Sequence, residues 1–154
     1  MNEKTVMDAL VQMKRTGNLL NELWDLTQQL GESVDRNDQV SIQMLISMRE
    51  DPLGKLQAAD QALRDLLETL PDREDARRLA AMLNGGPPAD PAQRSQQMLC
   101  EQVASNKRRL KQIMELDRVK TMVGELRDTF REANRISAQE LANAASQSVG
   151  TAEG

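Results

Sequence analysis

Apolar residues in the C-terminal part of the chain recur at helical spacing over the long stretch Ala92–Ile136. That stretch has no Pro, and its one Gly is Gly124. Leu99, Val103, Leu110 and Ile113 keep to one side of an α-helix. Leu116, Val119, Val123, Leu126, Phe130, Ala133 and Ile136 continue the series. Two consecutive steps of three, Ile113 to Leu116 to Val119, interrupt the heptad and swing the stripe around the helix near Leu116. The pattern predicts that the first half of this helix packs on the chain's own helices. Its second half, through Val119, Met122, Val123, Leu126, Phe130, Ala133 and Ile136, is offered to a partner.

The N-terminal half carries two further stripes. Val6, Leu10, Met13, Gly17, Leu20 and Trp24 step by four and three, a heptad seam, and predict a first helix from about Glu3 to Asp35. Leu19, Leu23, Leu26 and Leu30 run beside it and widen the stripe to that of a bundle helix. Gly17 on this seam is either an approach point for another helix or an ordinary tolerated Gly; Trp24 reads as a core anchor. The polar run Asp35–Asp38 predicts a turn, with Asn37 or Asp38 able to cap the next helix. That second helix, Asp38 to Leu70, takes its stripe from Leu45, Met48, Leu56, Ala59, Leu63, Leu66 and Leu70. Asp51-Pro52 lies in mid-run, where the missing amide of Pro forces a kink or a short break. The apolar register resumes at Leu56, so the direction is expected to persist.

Pro71 ends that helix and Asp72 can cap a shorter one, Arg73 to Asn84. GGPPADPA, Gly85–Ala92, then forbids a quick restart. The resulting division is a helical hairpin with its short helix over 1–84, a linker over 85–92, a long helix over 93–136 and a flexible tail over 137–154. The fold class is all-α: an elongated antiparallel hairpin plus a long third helix in a coiled-coil-like bundle. At ~1.5 Å per residue, hairpin arms of about 33 residues reach about 50 Å, whereas a third helix of about 45 reaches about 67 Å. The overhang needs another copy of the chain or another protein to cover it.

Composition narrows the chemistry. The 154 residues include one Trp and one Phe, no Tyr and nine Met, so the core is flexible and aliphatic rather than aromatic and β-branched. A net charge of −4 and a pI near 5.0 argue against a general binder of nucleic acid or anionic membranes. No apolar run approaches the roughly 20 residues of a membrane span, and MNEKTVMDALVQMK lacks a signal peptide's basic lead and apolar centre. A cytoplasmic location is expected. With no His and a single Cys, Ser-His-Asp and Cys-His chemistry and thiolate or His-containing metal sites are out of reach. No catalytic residue, cofactor or metal ligand is assigned, and an enzyme is not expected.

Other clusters read as surface. Lys107, Arg108, Arg109, Lys111, Arg118 and Lys120 lack interleaved aromatics for base stacking and suggest a solvated helix face balanced by Glu101, Glu115, Asp117 and Glu125. Asp72, Glu74 and Asp75 lack calcium-loop spacing and suit a helix start. Cys100 is expected as a small hydrophobe. Gly85-Gly86 has no following Gly-Lys-Ser/Thr.

The hairpin pattern carries a resemblance. LLNELWDLTQQLGESVDRNDQVSIQMLISMREDPLGKLQAADQALRDLL (Leu19–Leu67) is similar to the start of the FlgN family of flagellar export chaperones, where a leucine-rich helix leads through a polar turn into a helix with paired leucines. By architecture the resemblance spans residues 6–136. It implies a chaperone that binds the C-terminal, coiled-coil-forming segments of hook-associated (hook–filament junction) proteins and delivers them to the flagellar type III export apparatus. The family's partner-binding region corresponds here to Val119–Ile136. The chain departs from the family pattern at Asp51-Pro52 and in lacking a Tyr- and Gly-containing ending. The alternative is a self-associating coiled-coil or adaptor protein in which the same stripe buries itself in a homo-oligomer.

Overall fold

The computed structural model describes residues 1–120, with side chains through Asp117, as five α-helices. They are α1 (Glu3–Asp35), α2 (Gln39–Met48), α3 (Glu50–Thr69), α4 (Arg73–Leu83) and α5 (Arg94–Lys120). Among the described residues there is no strand. The chain is an all-α bundle, with α1 as its axis.

Helix ends are written in short polar signals. Asn2 caps α1 by accepting from the Thr5 amide at 2.9 Å. At the other end Asn37 takes a left-handed conformation, φ 54°, and its amide donates to Val34 while that of Asp38 donates to Ser33. This paired closure satisfies the last carbonyls of α1. Asp38 then caps α2 through the Ser41 amide and hydroxyl, and these bonds hold its carboxyl below the usual carboxylate range. Asn37 therefore ends one helix and Asp38 begins the next. Asp72 caps α4 through the Glu74 amide at 2.9 Å. Gly85 closes α4 as Asn37 closes α1: its φ is +103°, its amide reaches Met82, and the Gly86 amide reaches Ala81.

The helix predicted from Asp38 to Leu70 is interrupted by one residue, Arg49, which keeps helical dihedrals. Pro52 has no amide to offer Met48, so the ladder breaks there. The inward register nevertheless runs unbroken across the break, through Ile42, Leu45, Arg49, Pro52, Ala59 and Leu63, all buried. Steps of three and four, and one of seven from Pro52 to Ala59 across half-buried Leu56, link these positions, so α2 and α3 lie end to end along one flank of α1.

Three apolar clusters follow α1 from end to end. Val6, Ala9 and Leu10 pack with Leu63, Leu79, Met82, Leu99 and Val103. Leu20 and Leu23 meet Ile113, with Leu53, Leu56 and Trp24 at the margin. Leu26 and Leu30 meet Ile42 and Leu45. Early residues of α5 thus sit beside early residues of α1, and later beside later. The two helices are parallel, and α2–α3 runs back between their ends in the opposite direction. The Gly/Pro connection is tied down rather than loose: buried Gln96 accepts from the Asp90 amide at 2.8 Å, and Gln97 reaches the Pro91 carbonyl.

Candidate partner-binding site

Of the residues expected to bind a partner, Val119 lies in the last turn of α5 as backbone only, and Met122, Val123, Leu126, Phe130, Ala133 and Ile136 lie outside the described residues. The tail over 137–154 lies outside them as well. What can be built from the residues upward is the surface leading to that segment.

The inward face of α5 holds the heptad through Leu99, Val103, Asn106, Ile113 and Asp117, all buried. Two of these are polar, and both correct the apolar reading. Asn106 donates to the Met13 carbonyl at 2.9 Å and accepts from Gln102 at 2.9 Å. It reaches the carbonyl because Gly17 presents no side chain; a Cβ there would lie 2.7 Å from the Gln102 amide nitrogen and 2.9 Å from Asn106 Oδ1. Gly17 is an approach point. A buried amide at a seam position fixes register at some cost in stability.

Asp117, expected on the solvated face, is instead 3 % exposed and lies 3.5 Å from the guanidinium of Arg49, itself fully buried. Burial lifts the Asp117 carboxyl above its ordinary range despite the nearby cation, and burial lowers the Arg49 guanidinium despite the carboxylate. The ion pair joins the α2–α3 break to α5 three residues before α5 reaches Lys120. Apolar spacing alone passes over Arg49, Asn106 and Asp117. The heptad steps themselves, Leu45 to Arg49 to Pro52 and Ile113 to Asp117, are the signal that locates them.

Where the seam becomes ionic, the apolar residues leave it. Leu116 is half-buried, and Met114 is exposed. Leu110, expected on the packed stripe, is 40 % exposed because Asn106 and Ile113 take the inward direction on either side of it. Leu110 borders a groove of about 280 Å3 between α3 and α5, floored by Leu20 and Leu23 of α1 and walled by Leu53, Leu56 and Val103. Each of α3 and α5 packs on α1; between them exposed Leu110 and half-buried Leu53 and Leu56 line an opening whose floor is itself buried, and the charged Asp60 and Lys107 share the lining. On α2, Val40, Met44 and Met48 form a second exposed row at steps of four. Met48, expected inside, lies outside because Arg49 holds the inward position.

The basic cluster divides. Lys107 donates to the Asn84 carbonyl at 2.6 Å and so caps α4, a good place for a cation. Arg109 donates to Asn21 of α1 at 3.0 Å and lies 5.1 Å above the Trp24 ring. Arg108 and Lys111 are exposed. Cys100 is half-buried against the core, which pushes its thiol pKa up and makes it a poor nucleophile. Among the described residues no group of three or more Cys, Asp or Glu is placed to hold a metal ion, and no helix is long and apolar enough to cross a membrane.

Comparison adds no relative. No protein-family model, curated protein or solved structure matches this chain.

Proposed function

We propose that this protein is a helix-capturing binding protein, and specifically a cytoplasmic chaperone of flagellar type III export that holds the C-terminal helical segments of hook-associated proteins unassembled. The observation that carries the reading is the open apolar groove between α3 and α5, with Leu110 exposed at its edge. Its accessible leucines, Leu53, Leu56 and Leu110, can seat one face of an amphipathic helix, and burying several hundred Å2 over both partners at about 25 cal/mol per Å2 suffices for reversible capture after association costs. The apolar series from Val119 to Ile136 extends the same chemistry along the chain. The flagellar assignment rests on the resemblance of Leu19–Leu67. No covalent chemistry belongs to this mechanism.

Purified hook-associated proteins are the direct test. The full chain is expected to retain them on a pull-down, and Leu110→Asp and Leu126→Glu each to weaken retention at least tenfold, about 1.4 kcal/mol, with helical circular dichroism unchanged. Full retention by both variants overturns the site. Light scattering separates the alternative: a tight dimer that resists dissociation by those proteins supports self-association instead.

A further inference from the structure

A second groove lies on the opposite side of the α1–α5 contact. It encloses about 570 Å3 and is lined by Lys14, Asn18 and Asn21 from α1 and by Ser105, Arg108 and Gln112 from α5, with Gly17, Gln102, Asn106 and Arg109 completing it. Its lining carries three cations and no carboxylate, on a chain whose net charge is −4. Lys14 and Arg108 make no ion pair among the described residues. Arg109 is fixed across the groove by Asn21, Gln112 and the Trp24 ring. Glu22, next to Asn21 in sequence, acts on Lys55 of α3 and so belongs to the other flank.

We infer that this groove binds an acidic, extended segment of another protein. Charge complementarity chooses the sign of the occupant: two uncommitted cations and a pinned arginine face a strip without acids. The amides choose its kind. The carbonyls of Asn21 and Gln112 already accept from Arg109, but those of Asn18 and Gln102 still face the groove; such carbonyls repel phosphate oxygens but accept from peptide N–H groups. A nucleic acid would also need stacking surfaces, and the one ring here is covered by Arg109. From Gln102 to Gln112 the groove is about 15 Å long at ~1.5 Å per residue. That length matches four or five residues of extended chain at ~3.3 Å each. This site is independent of the apolar groove and of the flagellar reading.

The test uses the full chain and a fluorescein-labelled six-residue peptide of alternating aspartate and serine, followed by anisotropy at low salt. Binding is expected to fall on the order of tenfold in the double variant Lys14→Glu, Arg108→Glu. The same charge change outside the groove, Arg77→Glu with Arg94→Glu, is expected to cost less than about threefold when both double variants are compared again at ~0.15 M salt, where the Debye length of about 8 Å screens charges away from the site. All four side chains are exposed, and circular dichroism checks that both double variants stay folded. Equal losses in the two variants, or no binding by the parent chain, overturn the inference. Binding of inorganic tripolyphosphate without binding of the peptide overturns it too, and marks a phosphate site instead.

Discussion

Arg49 and Asp117 face each other in a part of the bundle where leucine pairs would be expected, and their burial makes them unequal. Arg49 is permanently charged, whereas Asp117 gains by holding its proton, because burial outweighs the cation beside it. Arg49→Met leaves a carboxylate buried without that cation and is expected to cost about 3–5 kcal/mol at neutral pH. Asp117→Asn in turn takes the carboxylate from beside the fully buried Arg49 guanidinium and is expected to cost a similar amount, about 3–5 kcal/mol. The direction of the shift sets the pH dependence. A carboxyl whose native pKa is raised contributes stability that is full below its ordinary value of 3.8 and is lost as pH climbs through the raised value. Urea unfolding between pH 4 and 7 should therefore show stability falling across that window, a fall absent in Asp117→Asn and steeper in Arg49→Met.

Single residues also mark where pattern reading stops. The buried leucines of α1, from Leu19 to Leu30, and the cap at Asp72 are legible because apolar periodicity and side-chain capping are local. The turn at Asn37 is legible too, but its division of labour with Asp38 is not. Arg49, Asn106 and Asp117 escape notice because a scan for apolar residues treats every charge or amide as surface. Their burial depends on partners more than 60 residues away, Asp117 with Arg49 and Asn106 with Met13. Leu110 fails in the opposite sense: greasy and in register, it faces an open strip since no helix stands opposite.

Among the elements, α4 shows how a short helix is held by its ends. Glu74 and Asp75 lie in its first turn, where acids suit the dipole; Lys107 closes the other end on the Asn84 carbonyl. The closure needs Gly85. Its left-handed backbone disfavours any Cβ, and one built there would lie 2.5 Å from the Lys107 amine. Gly85→Ala is expected to destabilise by about 1–2 kcal/mol, combining the left-handed penalty with displacement of Lys107. Thermal unfolding would measure it. Lys107→Met should recover part of the loss by freeing the space, and strict additivity of the two changes would argue against a shared cause. The break at Arg49 is an element-scale feature of another sort, legible in advance from Asp51-Pro52 though its inward-facing cation is not.

At the scale of the whole molecule, α1 is flanked on one side by α2–α3 and on another by α5, and the two grooves are what those flanks leave uncovered. One is apolar and one is cationic, so the bundle presents opposite chemistries on either side of a single helix pair. The sequence shows that long helices would pack. The surplus apolar surface it leads one to expect, Val119–Ile136, lies outside the described residues but for backbone at its start, and the opening between α3 and α5 escapes it because that depends on how closely each settles on α1.

The parallel course of α1 and α5 has a bearing on how the chain is made. Residues joined there, such as Met13 and Asn106, are separated by 93 positions, and closing so large a loop is slow compared with folding back a neighbouring helix. While it is being translated, α1 can zip against α2 and α3 as soon as they emerge, yet its remaining side stays bare until α5 arrives. Pulse-labelling hydrogen exchange during refolding should find amides in α1 and α3 protected before those of α5; simultaneous protection would contradict this order. Ribosome-bound intermediates of this protein would then carry a sticky ridge of their own, and a molecule we take to shelter others would itself need shelter until α5 is made.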